Sequence, residues 1–175
     1  MVGLEVRRLN GVLEMLLEYG QLGTPQAVDV DLSKWVTNYY DEKRTSSAHE
    51  ILVRLENPLP LVRFDDRHLN FVFERIFDQI EAKGIAGKEI RIVNQEITQG
   101  ENWEKLDICY EEDKALIQSP PEKIAFSGDR DFESLSLGLG LARRIMKKNN
   151  GEMSVIQEEG GRRRILLQFQ GKAPR

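Results

Sequence analysis

Apolar residues near the start of the chain recur at helical spacing. Val6, Leu9, Leu13 and Leu16 follow one another at intervals of three, four and three, while Glu5, Arg7, Arg8, Glu14 and Glu18 take other positions. The pattern predicts a helix over 4–19, stopped by Gly20 and Gly23 with Pro25 beyond. Such a stripe needs cover, from its own domain or from the same helix of a second copy. Asp31 reads as the N-cap of a second helix through Trp35, Val36, Tyr39 and Tyr40, with a break at the small polar stretch Thr45 to Ala48. Ile51, Val53 and Leu55 alternate with Leu52, Arg54 and Glu56 as in a strand. Asn57-Pro58-Leu59-Pro60 is a turn, because proline interrupts ladders and restricts the residue before it.

A long amphipathic helix is predicted over 66–82, with Leu69, Val72, Phe73, Ile76, Phe77 and Ile80 on one broad face and Lys83-Gly84 as its stop. Ile90, Ile92 and Ile97 mark a strand. Gln99-Gly100-Glu101-Asn102 resembles a hairpin turn, and Leu106, Ile108 and Tyr110 form the partner strand. Ser119-Pro120-Pro121 opens a looser region reaching about Ser136. A helix over 137–148 ends at Asn149-Asn150-Gly151. Two strands, 153–157 and 164–169, flank Glu158-Glu159-Gly160-Gly161, and a frayed tail is expected from Gly171. Strands and helices mix without strict alternation. The expected fold class is therefore α+β: a two-layer sandwich of a mixed, mostly antiparallel sheet of about five strands, with helices 66–82 and 137–148 on one face.

Composition narrows the functional classes. The chain has 175 residues, 40% hydrophobic and 31% charged, which suits one globular domain with an appended element. A net charge of -4 and a pI near 5.4 give nucleic acid no support as a partner. No apolar run is long enough to span a membrane, and no signal peptide opens the chain. The single cysteine, Cys109, fits a reducing cytoplasm and reads as a packed core residue. Arg162-Arg163-Arg164 reads as a solvated turn, or else as a docking patch for an acidic partner.

One motif carries chemistry. Ser136-Leu137-Gly138-Leu139-Gly140-Leu141-Ala142 resembles the second glycine box, Gly-x-Gly-Leu-Gly-Leu-Ala, of sensor histidine kinases. Their ATP-binding domain belongs to a superfamily with gyrase and the Hsp90 chaperones, and its fold is of the Bergerat type. Leu59-Pro60-Leu61-Val62 with Asp65 and Leu69 resembles the approach to that family's asparagine box. The first helix with Gly23-Thr24-Pro25 and Val30-Asp31-Leu32 resembles the second helix of a dimerisation hairpin and its linker. The resemblance implies residues 1–30 as dimerisation helix and linker, and 31–175 as the ATP-binding domain.

In that family ATP binding needs an amide oxygen for Mg²⁺ and a carboxylate for adenine. It also needs glycines that let backbone N–H groups approach phosphate, and a helix N-terminus facing it. The resemblance places Arg75 and Gln79 where the family carries asparagine, with Gln79 the remaining metal ligand. It places Glu112 at the adenine-binding carboxylate, and Ser136, Gly138 and Gly140 around the phosphates. Lys114 and Leu116 stand where the first glycine box has glycine. Sliding the long helix by one residue would offer Glu74 and Asp78 instead, but would rotate its apolar face by about 100° away from the core.

No histidine resembles the family's phosphoacceptor. His49 and His68 read as surface or partly buried residues, and an acceptor helix would lie before Met1 if the chain is a fragment. The expectation is a cytoplasmic, divergent histidine-kinase-type domain of two-component signalling. It is a homodimer through its first helix, it meets a response regulator or phosphorelay protein, and its hold on ATP and Mg²⁺ is weak or lost. The alternatives are an active catalytic domain phosphorylating a histidine elsewhere, or an anti-sigma-type serine kinase of the same superfamily.

Overall fold

The computed structural model describes residues 2–46, 52–56, 58–83, 89–95, 103–111 and 136–171. Helix α1 (Val2–Gln21) leads into strand β1 (Val28–Asp31) and helix α2 (Leu32–Ser46). Strands β2 (Leu52–Glu56) and β3 (Leu61–Phe64) precede the long helix α3 (Asp66–Lys83). Strands β4 (Glu89–Gln95) and β5 (Trp103–Glu111) follow, then helix α4 (Leu137–Lys148). Strands β6 (Glu152–Gln157) and β7 (Arg162–Gln170) close the chain around a short 3₁₀ turn at Glu159–Gly161.

The main sheet has five strands in the order β2-β4-β5-β7-β6. β2 runs parallel to β4, and the other pairings are antiparallel. The parallel pair encloses α3, as a crossover connection requires. The sheet's alternation is clean. Ile90, Ile92, Leu106, Ile108, Tyr110, Ile165, Leu167 and Phe169 face the helices and are buried. Helix α3 turns Leu69, Val72, Phe73, Ile76 and Ile80 onto this face, and α4 adds Leu141, Ala142, Ile145 and Met146. Trp35 and Tyr39 of α2 cover Phe73, with ring centroids 4.9 and 5.9 Å away. The α+β sandwich with a mixed five-stranded sheet is the architecture expected from the sequence.

Two strands were not expected. β1 and β3 pair antiparallel as a separate two-stranded ribbon, and Val62 bridges to Gly171. Gly171 is therefore tied down, not the start of a frayed tail. Asp31 ends β1 and also caps α2, accepting from the Lys34 N–H at 3.2 Å. Gly20 stays helical inside α1, and the chain turns at Gly23, whose φ of +66° favours glycine.

A buried polar junction joins the end of α1, the start of α3 and the end of α4. Asp65 accepts from the Gln26 N–H at 2.6 Å and from the Arg67 N–H at 2.9 Å. His68 is wholly buried here, a correction to its reading as a surface or partly buried residue. Its Nε2 lies 3.3 Å from the Leu22 carbonyl oxygen. Burial works to raise the Asp65 carboxyl, but the hydrogen bonds from Gln26, Arg67 and His68 hold it below the usual aspartate range.

Candidate functional site

Helix α4 begins at an N-cap, Ser136, whose extended backbone (φ -61°, ψ 158°) turns the chain into the helix. The Ser136 side-chain oxygen accepts the Leu139 N–H at 3.3 Å, and its carbonyl accepts the Gly140 N–H at 3.0 Å. No acidic residue sits in the first turn, so the positive end of the helix dipole is not offset there.

Two glycines show different causes for being glycine. A Cβ on Gly151 would lie 2.7 Å from the Gln168 carbonyl oxygen, so the fold itself demands glycine. A Cβ on Gly138 would meet Arg75 Cδ at 3.5 Å and Met15 Cε and Sδ at 3.7 Å, all ordinary contacts with flexible side chains. Packing does not require glycine at 138. A close approach by another group would.

Helix α3 brings Arg75 up against this helix start. The guanidinium lies 3.3 Å from Asp78 Oδ2 and 3.6 Å from Glu18 Oε2 of α1, and 5.0 Å from the centre of the Phe71 ring. Its side chain is only 11% exposed, and its Nε is buried with no hydrogen-bond partner. Gln79 sits one turn further along α3 and is half-buried. Glu74, of the rejected register, points elsewhere, taking the Lys43 ammonium of α2 at 2.7 Å. Burial, followed by the nearby Glu74 charge, raises the Asp78 carboxyl against the lowering pull of Arg75. The structure thus brings Arg75 and Gly138 together. Glu112 lies outside the described residues, as do Lys114 and Leu116.

Sequence reasoning missed Met15 and Glu18. Both lie on the face of α1 turned away from its apolar stripe. With Arg8, Gly11, Val12, Glu14, Arg75 and Asp78 they line a cleft of about 420 Å³ between α1 and α3. Polar positions on a helix carry no periodic signal that names a distant partner.

The cleft carries three carboxylates, Glu14, Glu18 and Asp78, against two guanidiniums, Arg8 and Arg75. Gln79, the amide expected to meet Mg²⁺, does not line it and stands one turn along α3 from the Arg75 guanidinium. Among the described residues no group of three His, Cys, Asp or Glu side chains could hold a metal ion.

The open face of the sheet carries a second charged cluster. Arg164 pairs with Asp107 and donates to Glu158 at 3.1 Å. β7 opens at Arg162, two residues before the expected start at Arg164, so the whole arginine run lies in the strand, which corrects its reading as a solvated turn. Cys109 is on this face too, half-buried and not in the core, with its Sγ 3.3 Å from Asp107 Oδ1. Burial, the hydrogen bond to Asp107 and that carboxylate's charge push the thiol up to about 11. No helix among the described residues is long and apolar enough to cross a membrane.

No family model matches the sequence, and no curated protein matches it. Solved structures do. The Acinetobacter baumannii histidine kinase AdeS superposes with a TM-score of 0.63 at 19% identity, over 94% of this chain and 79% of that one. Histidine kinase ThkA, solved in complex with the response regulator TrrA, gives 0.64 at 15% identity, over 98% of this chain and 49% of that one. Full-length ShkA, solved in complex with AMPPNP, gives 0.63 at 14% identity, over 95% of this chain and 37% of that one. With α3 and α4 sharing one face of a mixed five-stranded sheet, and the glycine-bearing start of α4 beside α3, the chain has the fold of the histidine-kinase ATP-binding domain.

Proposed function

We propose that this chain is a divergent histidine-kinase-type ATP-binding module of bacterial two-component signalling, whose handling of Mg-ATP is weakened and which works through protein contacts. The observation that carries this reading is Arg75, set against Gly138 where the resemblance expects a short amide. The phosphate end keeps its capped helix start and a glycine that packing does not require. The metal end has lost its ligand set. Gln79 is the remaining candidate for Mg²⁺, on a longer stem whose ordering costs rotamer entropy. Glu112 is the candidate partner of adenine. Lys114 and Leu116 would obstruct the approach of backbone to ligand.

Residues 1–30 act as dimerisation helix and linker, and 31–175 as the ATP-binding domain. The apolar stripe of α1 supports a homodimer, since Leu9 and Leu13 are 60% and 57% exposed. The partner is a response regulator or phosphorelay protein, by analogy with the ThkA–TrrA complex, and the setting is the cytoplasm. Calorimetry tests the reading. Mg-ATP should bind no more tightly than about 1 mM, or roughly -4 kcal/mol. A micromolar dissociation constant that collapses in Gly138→Val would instead mark an active kinase domain.

A further inference from the structure

Helix α1 turns its apolar stripe outward and touches the domain through Met15, Glu18 and Tyr19. The hold is slight. None of its residues from Val2 to Gln21 is fully buried. Glu18 reaches Arg75 at 3.6 Å and is half exposed, a pair of little worth. Tyr19 packs on the Phe71 ring, 6.0 Å between centroids, and lies 4.9 Å from the Lys148 ammonium. The cleft beside them holds more carboxylates than guanidiniums, so charge adds little net attraction. If α1 moves away, Asp78 keeps Arg75 paired at 3.3 Å, and no buried charge is stranded. The firm anchors come later in the chain, at Leu22 and Gln26.

What α1 covers is Gly138. This glycine is buried, although its packing does not require glycine. Its cover is Met15, with Sδ and Cε at 3.7 Å from where a Cβ would stand, and Arg75 Cδ at 3.5 Å. A stretch of backbone left bare for close approach is therefore shut under two side chains, one of them on a weakly held helix. Methionine suits a removable cover, because its unbranched side chain fills an irregular space without locking into it. Resting on the reading of this domain as a nucleotide module, we propose that α1 is a detachable strap. Docked, its Met15 closes the start of α4 to any ligand. Lifted about its anchors, it uncovers Gly138. Nucleotide binds the lifted state alone, so apparent affinity follows the fraction of chains in which the strap is lifted.

Peroxide oxidation of Met15 in the full chain, located by peptide mass, reads the strap directly. Met146 and Met153, both in the core, serve as unreactive references. Glu18→Lys sets a cation against Arg75 and should speed Met15 oxidation about threefold, the size of a half-exposed ion pair. Its Mg-ATP affinity should rise by the same factor of about three, since both follow the lifted fraction. Met15→Ala removes the cover without adding charge and should also bind Mg-ATP about threefold more tightly. By linkage, Mg-ATP should speed Met15 oxidation in the unaltered chain. Circular dichroism checks that each variant is folded. Met15 oxidation that Glu18→Lys leaves unchanged overturns the strap and leaves the impaired module intact. So does unchanged affinity, or no binding at millimolar Mg-ATP, in variants whose strap is lifted. Micromolar Mg-ATP binding by the unaltered chain sinks both readings.

Discussion

The side-chain amide of Asn149 donates from Nδ2 to His68 Nδ1 at 3.0 Å, joining the end of α4 to the start of α3. That direction assigns the histidine tautomer, because Nδ1 accepts and the proton sits on Nε2, which donates to the Leu22 carbonyl. The same amide accepts the Asp65 N–H at 3.2 Å and donates to the Ile145 carbonyl at 2.9 Å. Asn149→Ala would leave several buried groups without partners. A loss of about 2–3 kcal/mol in urea unfolding is expected. A loss below about 0.5 kcal/mol would mean that water replaces the amide.

Asp65 gives the junction an acid limit. Its carboxyl titrates lower in the folded chain than in the unfolded chain. Its contribution is therefore complete above the ordinary aspartate value and fades as pH falls through the depressed one. Stability followed from pH 6 downward should drop more steeply in the parent chain than in Asp65→Asn. Parallel curves would remove Asp65 as a source of the acid response.

Cys109 should be a poor nucleophile. With its thiol held protonated to about pH 11, iodoacetamide should label the native chain slowly at pH 7.5 and faster only as pH approaches that value. Asp107→Asn removes a hydrogen bond and a charge that both favour the thiol, and should speed labelling at pH 8.5. Labelling of native Cys109 as fast as that of a free thiol would contradict the environment described.

The two glycines predict opposite stability changes. Gly151→Ala must push a Cβ into the Gln168 carbonyl and should cost about 1–3 kcal/mol. Gly138→Ala fits its surroundings and gains helix propensity, so it should stabilise by about 0.5 kcal/mol while weakening any nucleotide binding. Thermal unfolding of both variants decides this. Destabilisation by Gly138→Ala would assign that glycine to packing.

Dimerisation through α1 is checked by charge. Leu9→Glu with Leu13→Glu should convert a sedimenting dimer into a folded monomer. A parent chain that stays monomeric at high concentration removes the dimer from the proposal.

Periodic elements were legible in the sequence, and non-local relations were not. α3 and α4 begin where their apolar faces predict, because burial imposes the 3.6 period. β4, β5 and β7 alternate because one sheet face is covered. β1 and β3 escaped notice because each has four residues, too few to show a period, and β1 buries Val30 alone. His68 was misjudged because its partner Asn149 lies 81 positions away. The ordering of the arginine run was missed for the same reason, since the Asp107 that holds Arg164 sits 57 positions earlier. For the candidate site, the glycine box and Arg75 were visible as residue types. The approach of α1 was not, since Met15 and Glu18 lie off its apolar stripe.

The end of helix α1 is fastened to the domain, where Tyr19 packs on Phe71 and the following Leu22 and Gln26 engage His68 and Asp65. That makes it a lever with its fulcrum beside the cleft. At about 1.5 Å per residue, Val2 stands roughly 30 Å from Leu22 and Glu18 roughly 6 Å. A sideways swing of about 5 Å at the far tip therefore moves Glu18 by only about 1 Å. That small travel suffices to part a carboxylate and a guanidinium already 3.6 Å apart. Whatever grips the distal end of the rod works with a mechanical advantage of about five on the charge that Arg75 sees.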